Sequence, residues 1–398
     1  MTGNSYTVLD LFAGCGGLSN GFERGGNFRT IAANEIWGPA ADTYEHNHPH
    51  TEMIRGDVTQ DEVKNRIYES FADAKCDVII GGPPCQAYSN AGFRDPNDPR
   101  GRLFRDYVEI VEKLQPKIFV MENVKGILSI KHQRDNLSNS EVAQLNNLRA
   151  FEKEKQDLLL QRKRSANNSN IYKFAKEDQL RIDELVVLIK EHKKTYPALH
   201  ENVTDQIIRS FEEIGYRAEF RLLNAADFGV PQRRERVIFI GVRTDLKIEF
   251  PKPTHSRDGE NTENLPPWKT VRDAIDDLKS LDEKESWNHI FTKHGEEFLK
   301  KISNTPVGEG VFGFSDAFHR NNPDSPSRTV KENHGGVLVH YDNDRVMTPR
   351  ELARLQSFPD DFIFSGTKSQ ILVQIGNAVP PGLGEAVGKA IFEILERG

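Results

Sequence analysis

Over the first third of the chain, short apolar runs alternate with segments of helical spacing, and the runs end in polar, small or reactive residues. The stretch YTVLDLF, from Tyr6 to Phe12, predicts a strand; the glycine turn AGCGG follows, and a helix opens between Leu18 and Glu23. TIAANE predicts a second strand ending at Glu35, and later strands are predicted to end at Asp57, Gly81 and Glu122. This alternation predicts an α/β fold built on a mostly parallel sheet with helices on both faces. In an open parallel sheet the carboxyl ends of the strands lie along one edge, so these terminal residues gather in one crevice.

From Gln133 to about His200 the texture becomes polar and charge-rich. Val142, Leu145, Leu148 and Phe151 recur at three-residue spacing, whereas Ile182, Leu185, Val186 and Ile189 follow the i, i+3, i+4, i+7 pattern of a helix face. SANNSN interrupts both patterns, which predicts a helical hairpin inserted into the sheet domain. RVIFIGVR then predicts an edge or near-edge strand. From about Lys247 to Val339 prolines and glycines multiply and periodicity fades, predicting a smaller irregular domain. The final QIGNAVPPGLGEAVGKAIFEILERG predicts a loop and an amphipathic helix that rejoin the sheet. The expected organisation is a sheet domain at 1–246 and 372–398, the hairpin at 133–200 within it, a second domain at 247–345, and a connecting segment at 346–371.

The totals narrow the class. A chain of 398 residues has room for one large core and a second domain. Its three cysteines, Cys15, Cys76 and Cys85, show no paired spacing, which points to a reducing compartment and at least one free thiol. No apolar run reaches the length of a membrane span and the first residues lack a signal pattern, so a cytoplasmic location with no membrane partner is expected. A net charge of −7 argues against indiscriminate nucleic-acid binding but leaves room for a local basic cleft.

DLFAGCGGLSNGF places glycines after a strand and at the start of a helix, the context in which they can cradle a nucleotide. Gly14, Gly16 and Gly17 permit a tight turn, and Glu35, about twenty residues on, stands where an acid accepts ribose hydrogen bonds. Ser19 occupies the position of a third glycine, which disfavours a pyrophosphate-bearing nicotinamide cofactor. A nucleoside such as S-adenosylmethionine fits better, with a plain structural turn as the alternative. Asp57 can meet an adenine amino group or cap a helix; spacing alone leaves both open.

In VIIGGPPCQAYSNAG two prolines stop the strand at Gly81 and stiffen the backbone in front of Cys85. With the blocks DLFAGCGG, GGPPCQAYS, MENVKG, FGVPQRRERVIFIG, MTPRELARLQSFPDDF and QIGNAVPP in this order, the chain resembles the cytosine-5 DNA methyltransferases. The resemblance implies a Rossmann-like catalytic domain, a target-recognition domain at 247–345, and methylation of carbon 5 of a cytosine flipped out of double-stranded DNA. It also implies S-adenosyl-L-methionine as cofactor, S-adenosyl-L-homocysteine as product and no metal. Cys85 is expected as the nucleophile, Glu122 as the acid at ring nitrogen 3 with Asn123 holding it, and Arg234 and Arg236 from the Gln-x-Arg-x-Arg pattern as their catalytic partners. Carbon 5 is a poor nucleophile until a thiolate adds to carbon 6, which is the chemical reason for a cysteine beside an acid.

Cofactor contacts carried over in the same way are Phe12, Gly14, Cys15, Gly17, Glu35, Ile36, Asp57, Val58, Pro83, Leu103, Asn377 and Val379. Many relatives place an aromatic residue where Ile36 stands, so Trp37 is a substitute for adenine stacking. Arg94, Arg100, Arg102 and Arg105, after Cys85, are expected at DNA phosphates. An RNA-modifying enzyme of the same fold and a DNA-binding regulator without catalysis are the competing readings; the length of 247–339 opposes the first, and intact Cys85 and Glu122 oppose the second. The chain is expected to act as a monomer, and a companion restriction endonuclease is a partner the sequence does not decide.

The hairpin carries a net positive charge, opposite in sign to the whole chain, so its QRKR segment and neighbouring lysines are expected to contact phosphates flanking the target; a solvated hairpin or a docking arm is the alternative. Replacing it with a Gly-Ser turn should weaken DNA binding and make its salt dependence shallower, with the methylated sequence unchanged. A folded, active deletion variant with the original salt slope would remove the phosphate role.

Overall fold

The computed structural model describes residues 5–84, 103–134, 137–167, 176–243, 245–257, 264–313, 318–331 and 337–397. Cys85, Arg94, Arg100 and Arg102 lie outside the described residues. The chain divides into two compact units, one of Met1–Ile127 with Ile208–Gly398 and one of Leu128–Ile207.

The first half of the larger unit runs β1 (Tyr6–Leu11), α1 (Gly17–Gly25), β2 (Phe28–Glu35), α2 (Gly38–Asn47), β3 (Glu52–Arg55), α3 (Asp61–Glu69), β4 (Val78–Gly81), α4 (Leu103–Leu114) and β5 (Ile118–Val124). The smaller unit holds β6 (Lys131–Gln133), α5 (Asn139–Asn167), α6 (Lys176–Thr195) and β7 (His200–Asn202), with α7 (Val203–Glu213) leading back to β8 (Arg217–Asn224) and β9 (Glu235–Val242). The seven strands of the main sheet lie in the order β3-β2-β1-β4-β5-β9-β8. The first five are parallel, and β9 and β8 close the sheet antiparallel. RVIFIGVR is therefore one strand in from the edge. Val78–Gly81 and Ile118–Met121 are buried without a break, as strands covered on both faces must be.

Alternation along β4 and β5 assigns the two faces. Val78, Ile80, Ile118 and Val120 join Leu18 and Phe22 of α1 in one core, together with Leu383, Val387 and Ile391 of α12 (Pro381–Arg397). On the other face Phe119 stacks on Phe211 of α7 at 3.7 Å, and Tyr107 of α4 meets both rings. α1 and α12 touch backbone to backbone: a Cβ on Gly21 would lie 2.0 Å from the Pro381 carbonyl oxygen, and one on Gly388 would lie 2.7 Å from that of Phe22. The last helix thus rejoins the sheet domain as its pattern predicts.

Within 247–345 the elements are short: α8 (Val271–Ile275), α9 (Glu296–Ser303), β10 (His319–Arg320) and β11 (Leu338–Val339). Val271, Ile275, Val330 and Leu338 share a core with Leu352 of α10 (Pro349–Leu355) and Ile371 of α11 (Lys368–Asn377). QIGN, expected in a loop, is the last turn of α11, because Thr367 and Gln370 form a capping box that starts the helix upstream. In the hairpin Leu145, Leu148, Ile182, Leu185 and Ile189 are buried, but Val186 is 48% exposed and Val142 is exposed too. A single antiparallel partner covers only a narrow stripe, so the i+4 position of the predicted face stays in solvent. Arg181 pairs with Glu154 and Lys193 with Glu152 across the two helices. Among the described residues no helix is long and apolar enough to cross a membrane.

Gly21→Val should destabilise the protein by about 2 kcal/mol or more, since the new side chain meets backbone that cannot yield. Gly38→Ala, at an open first turn of α2, should be neutral or mildly stabilising. Denaturant midpoints of the two variants check the contrast.

Candidate active site

β1 ends in a turn in which Phe12, Gly14 and Gly16 all adopt left-handed φ (57°, 57° and 91°). Phe12 does so despite its side chain, a strained conformation of the kind concentrated at functional sites. The turn is tied to β2 by the Ala13 N–H donating to the Asn34 carbonyl at 2.9 Å. Glu35 is held from both sides: the Gly14 N–H donates to its Oε2 and the Trp37 N–H to its Oε1, each at 2.8 Å. Burial raises the pKa of its carboxyl above the usual range. Gly56 N–H donates to the Glu35 carbonyl, bringing Asp57 and Val58 alongside. A Cβ on Gly17 would fall 2.5 Å from the Val379 carbonyl oxygen, so the segment carrying Asn377 and Val379 abuts the same turn.

The twelve expected cofactor residues therefore divide as follows. Phe12, Gly14, Gly17, Glu35, Asp57, Val58, Asn377 and Val379 are brought around the ends of β1, β2 and β3. Ile36 is 67% exposed beside them. Cys15 is buried, with its Sγ toward the Gln374 carbonyl, so only its backbone faces outward. Pro83 lies just beyond β4, and Leu103 opens α4. Asp57 accepts from the Thr59 N–H, a local turn contact, while α3 is entered from Gln60, so the capping alternative does not describe it. The open space at Gly14 and the two carboxylates at the strand ends suit a nucleoside with ribose hydroxyls and an exocyclic amine.

The second half of the site lies on β5 and β9. Val124 faces Arg236 in their antiparallel register, and the Arg236 Nε reaches back to the Glu122 Oε1 at 2.7 Å, with both side chains 12% exposed. Gly82 packs on this carboxylate: a Cβ there would lie 2.9 Å from Glu122 Oε2. Asn123 does not hold Glu122 as expected. Successive residues of a strand point to opposite faces, and the Asn123 Nδ2 donates instead to the Pro83 carbonyl at 3.1 Å, fixing the proline segment ahead of Cys85.

Arg234 also departs from expectation. It precedes β9, is 1% exposed, and donates to the carbonyls of Val330, Gly376 and Ala378 at 2.8, 2.8 and 2.9 Å. Burial drives its pKa well down, with Arg236 adding to the effect. Its guanidinium is spent on backbone, which makes it a positioning residue for the segments around Val330 and Asn377. Gln232, not singled out in the sequence beyond its place in the pattern, does parallel work: its Nε2 donates to Gln356 Oε1 and its Oε1 accepts from the Val330 N–H, both at 2.9 Å. Arg105 is exposed on the first turn of α4.

The sequence reading also missed Asp10. Fully buried in β1, it accepts from Ser19 Oγ at 2.5 Å, and Tyr44 Oη donates to the same Ser19 at 2.9 Å. The signal was present as a charge inside an apolar strand, and Ser19 in place of a third glycine is what supplies the hydroxyl. Burial, with Glu35 and Glu23 nearby, pushes the Asp10 carboxyl up to about 8. Two of the three thiols are unsuited to attack: burial pushes Cys15 up to about 12 and raises Cys76 further. Among the described residues no cluster of three or more His, Cys, Asp or Glu side chains is placed to hold a metal ion.

A family profile described as C-5 cytosine-specific DNA methylase matches residues 6–151 and 186–393. The Type II methyltransferase M1.HphI of Haemophilus parahaemolyticus is 33% identical over 98% of this chain and 87% of its own. The Type II methyltransferase M.NgoPII of Neisseria gonorrhoeae is 30% identical over 100% and 98%. Among solved structures, a candidate DNA modification methyltransferase encoded within an E. coli prophage superposes with a TM-score of 0.67 at 24% identity, covering 98% of this chain and all of that one. The Entamoeba histolytica methyltransferase EhMeth gives 0.58 at 16% identity over 99% of each chain. These two likenesses are of fold.

Asp10 makes stability pH-dependent with a definite sign. Its folded pKa of about 8 lies above the ordinary 3.8, so the folded chain keeps a proton that the unfolded chain has lost. The associated stabilisation is complete below the ordinary value and is lost as pH rises through the folded one. Relative to Asp10→Asn, the wild type should lose stability progressively from about pH 4 to about pH 8. Parallel denaturation midpoints for the two proteins across that window would contradict the assignment.

Proposed function

The chain belongs to the C-5 cytosine-specific DNA methylase family and is a DNA cytosine-5 methyltransferase, and we propose that it methylates a flipped cytosine in duplex DNA through a covalent bond to Cys85. The observation that carries this reading is the Glu122–Arg236 pair with Gly82 packed against the carboxylate, since it sets an acid directly beside the segment that delivers Cys85. S-adenosylmethionine, when bound, supplies the electrophilic methyl group. Glu35, Asp57, the Gly14 turn, Asn377 and Val379 are the residues that would hold it.

In the proposed sequence the Cys85 thiolate adds to carbon 6 of the ring, and the electron pair moves toward nitrogen 3, where Glu122 provides the stabilising hydrogen bond. Arg236 fixes that carboxyl through its Nε, and with its Nη1 donating to the Glu235 carbonyl, its Nη2 is the donor for the cytosine oxygen. Carbon 5, now an enamine carbon, takes the methyl group, and loss of its proton with departure of the cysteine sulfur restores aromaticity. Cys15 and Cys76, buried with raised pKa values, do not compete for the nucleophile's role. Base contacts fall to 247–345, and the Type II relatives favour a place in restriction and modification.

A duplex carrying 5-fluorocytosine at the target cannot lose its carbon 5 substituent as a proton, so with S-adenosylmethionine it should trap a denaturation-resistant adduct at Cys85. Cys85→Ser should abolish turnover with DNA binding largely intact, and Glu122→Gln should slow it by roughly 10²- to 10⁴-fold. An adduct mapped by peptide mass to Cys15 or Cys76 would overturn the mechanism.

A further inference from the structure

The turn that carries Gly14, Gly16 and Gly17 rests on two stacked rings. Gly16, at φ 91°, precedes α1, and a Cβ there would lie 2.7 Å from His48 Nε2 and 2.9 Å from Tyr44 Cδ2. Those two rings stack at 4.4 Å at the C-terminal end of α2, and both are buried. Their spacing matches the helix opposite. Tyr44 Oη donates to Ser19 Oγ of α1, and His48 Nδ1 faces the Glu23 carboxylate at 3.7 Å, so residues four apart on one element meet residues four apart on the other. Glu23 is held in turn by the N–H and hydroxyl of Thr30 on β2.

The imidazole is also closed in from behind. Phe362 meets its ring edge-on at 6.4 Å, while Asn47 Nδ2 donates to the Ile363 carbonyl at 2.8 Å and the Ile363 N–H donates to Asn47 Oδ1 at 3.0 Å. His48 Nε2 has no hydrogen-bond partner among the described residues. A buried nitrogen left so is unfavourable by itself, and the packing around the ring keeps it there. Glycine has the widest backbone freedom of any residue, so a glycine-rich turn holds one shape only where something outside it limits that freedom. The imidazole supplies the limit at Gly16, between the Gly14 N–H that orders Glu35 and the Gly17 contact with Val379.

We propose that His48 is a positioning residue for the cofactor: its ring forms the floor on which Gly16 sits, and so holds the turn in the geometry that receives S-adenosylmethionine. His48 acts through Gly16 from beneath the turn, with Tyr44, Glu23 and Phe362 fixing the ring. This rests on the S-adenosylmethionine reading above.

Calorimetric titration with S-adenosylhomocysteine tests the floor. If its loss leaves the turn in the binding geometry about a tenth of the time, affinity falls about tenfold, the effect expected of His48→Ala. The KM for S-adenosylmethionine should rise by a similar factor, with kcat at saturating cofactor close to that of wild type. A double-mutant cycle on the dissociation constant reads the contact directly. Gly16→Ala alone should weaken binding, because its methyl group meets the His48 ring and a φ of 91° strains any side chain. With His48→Ala in the same chain the methyl group gains room, so the double variant should bind more tightly than the product of the two single losses predicts. His48→Gln, which keeps a polar side chain and removes the ring, gives the same reading where the alanine variant does not fold. Dissociation constants of the folded His48 variants within about twofold of wild type, or losses that simply multiply in the double variant, would overturn the floor. Failure of the wild type to bind S-adenosylhomocysteine would instead overturn the cofactor reading on which it rests, so the two failures are told apart.

Discussion

Arg234 is the contact on which the site depends. A buried guanidinium carries a desolvation cost of several kcal/mol, and three hydrogen bonds to carbonyls, at about 1.5 to 3 kcal/mol each, offset it. What results is geometry. One side chain just before β9 fixes the backbone at Val330 and at Gly376 and Ala378, the first within 247–345 and the second next to Val379, which meets the glycine turn. Gln232 repeats the device one step earlier, toward Gln356 and Val330. Removing either would leave buried carbonyls or N–H groups without partners, the expensive outcome for a polar core.

From that anchor the two halves of the site follow. β9 presents Arg236 to Glu122 because its antiparallel register with β5 sets Val124 opposite Arg236. The glycine turn is set from the other direction, by Val379 pressed against Gly17 and by Glu35 receiving N–H groups on both oxygens. Beneath it the chain of Tyr44, Ser19 and Asp10 keeps a carboxyl inside the sheet. A turn with three left-handed residues holds its shape because neighbouring elements press on it from each side.

Much of this was legible in the chain. Apolar runs ending in Glu35, Asp57, Gly81 and Glu122 predicted the parallel sheet and its functional edge, because a strand covered on both faces must be apolar throughout and can turn polar only where it leaves the core. The paired prolines before Cys85 and the motif order pointed to the chemistry. Less was legible where one residue type has two uses. Arg234 and Arg236 are indistinguishable by spacing, yet the terminal nitrogens of one go to backbone carbonyls and the other faces an acid. Asn123 follows Glu122 directly, and only pleating turns it away to Pro83.

The sequence by itself determined what local rules govern: the strand and helix periods, the left-handed turn that glycine permits, the capping box at Thr367, and the reactive residue types at strand ends. Tertiary structure alone decided which side chains share a partner. That Ser327 pairs with Gln232, nearly a hundred residues away, depends on how the two segments meet in space. Such pairings are absent from any local window, because hydrogen bonds and charges act through distance in space, while spacing along the chain records only neighbours within one element.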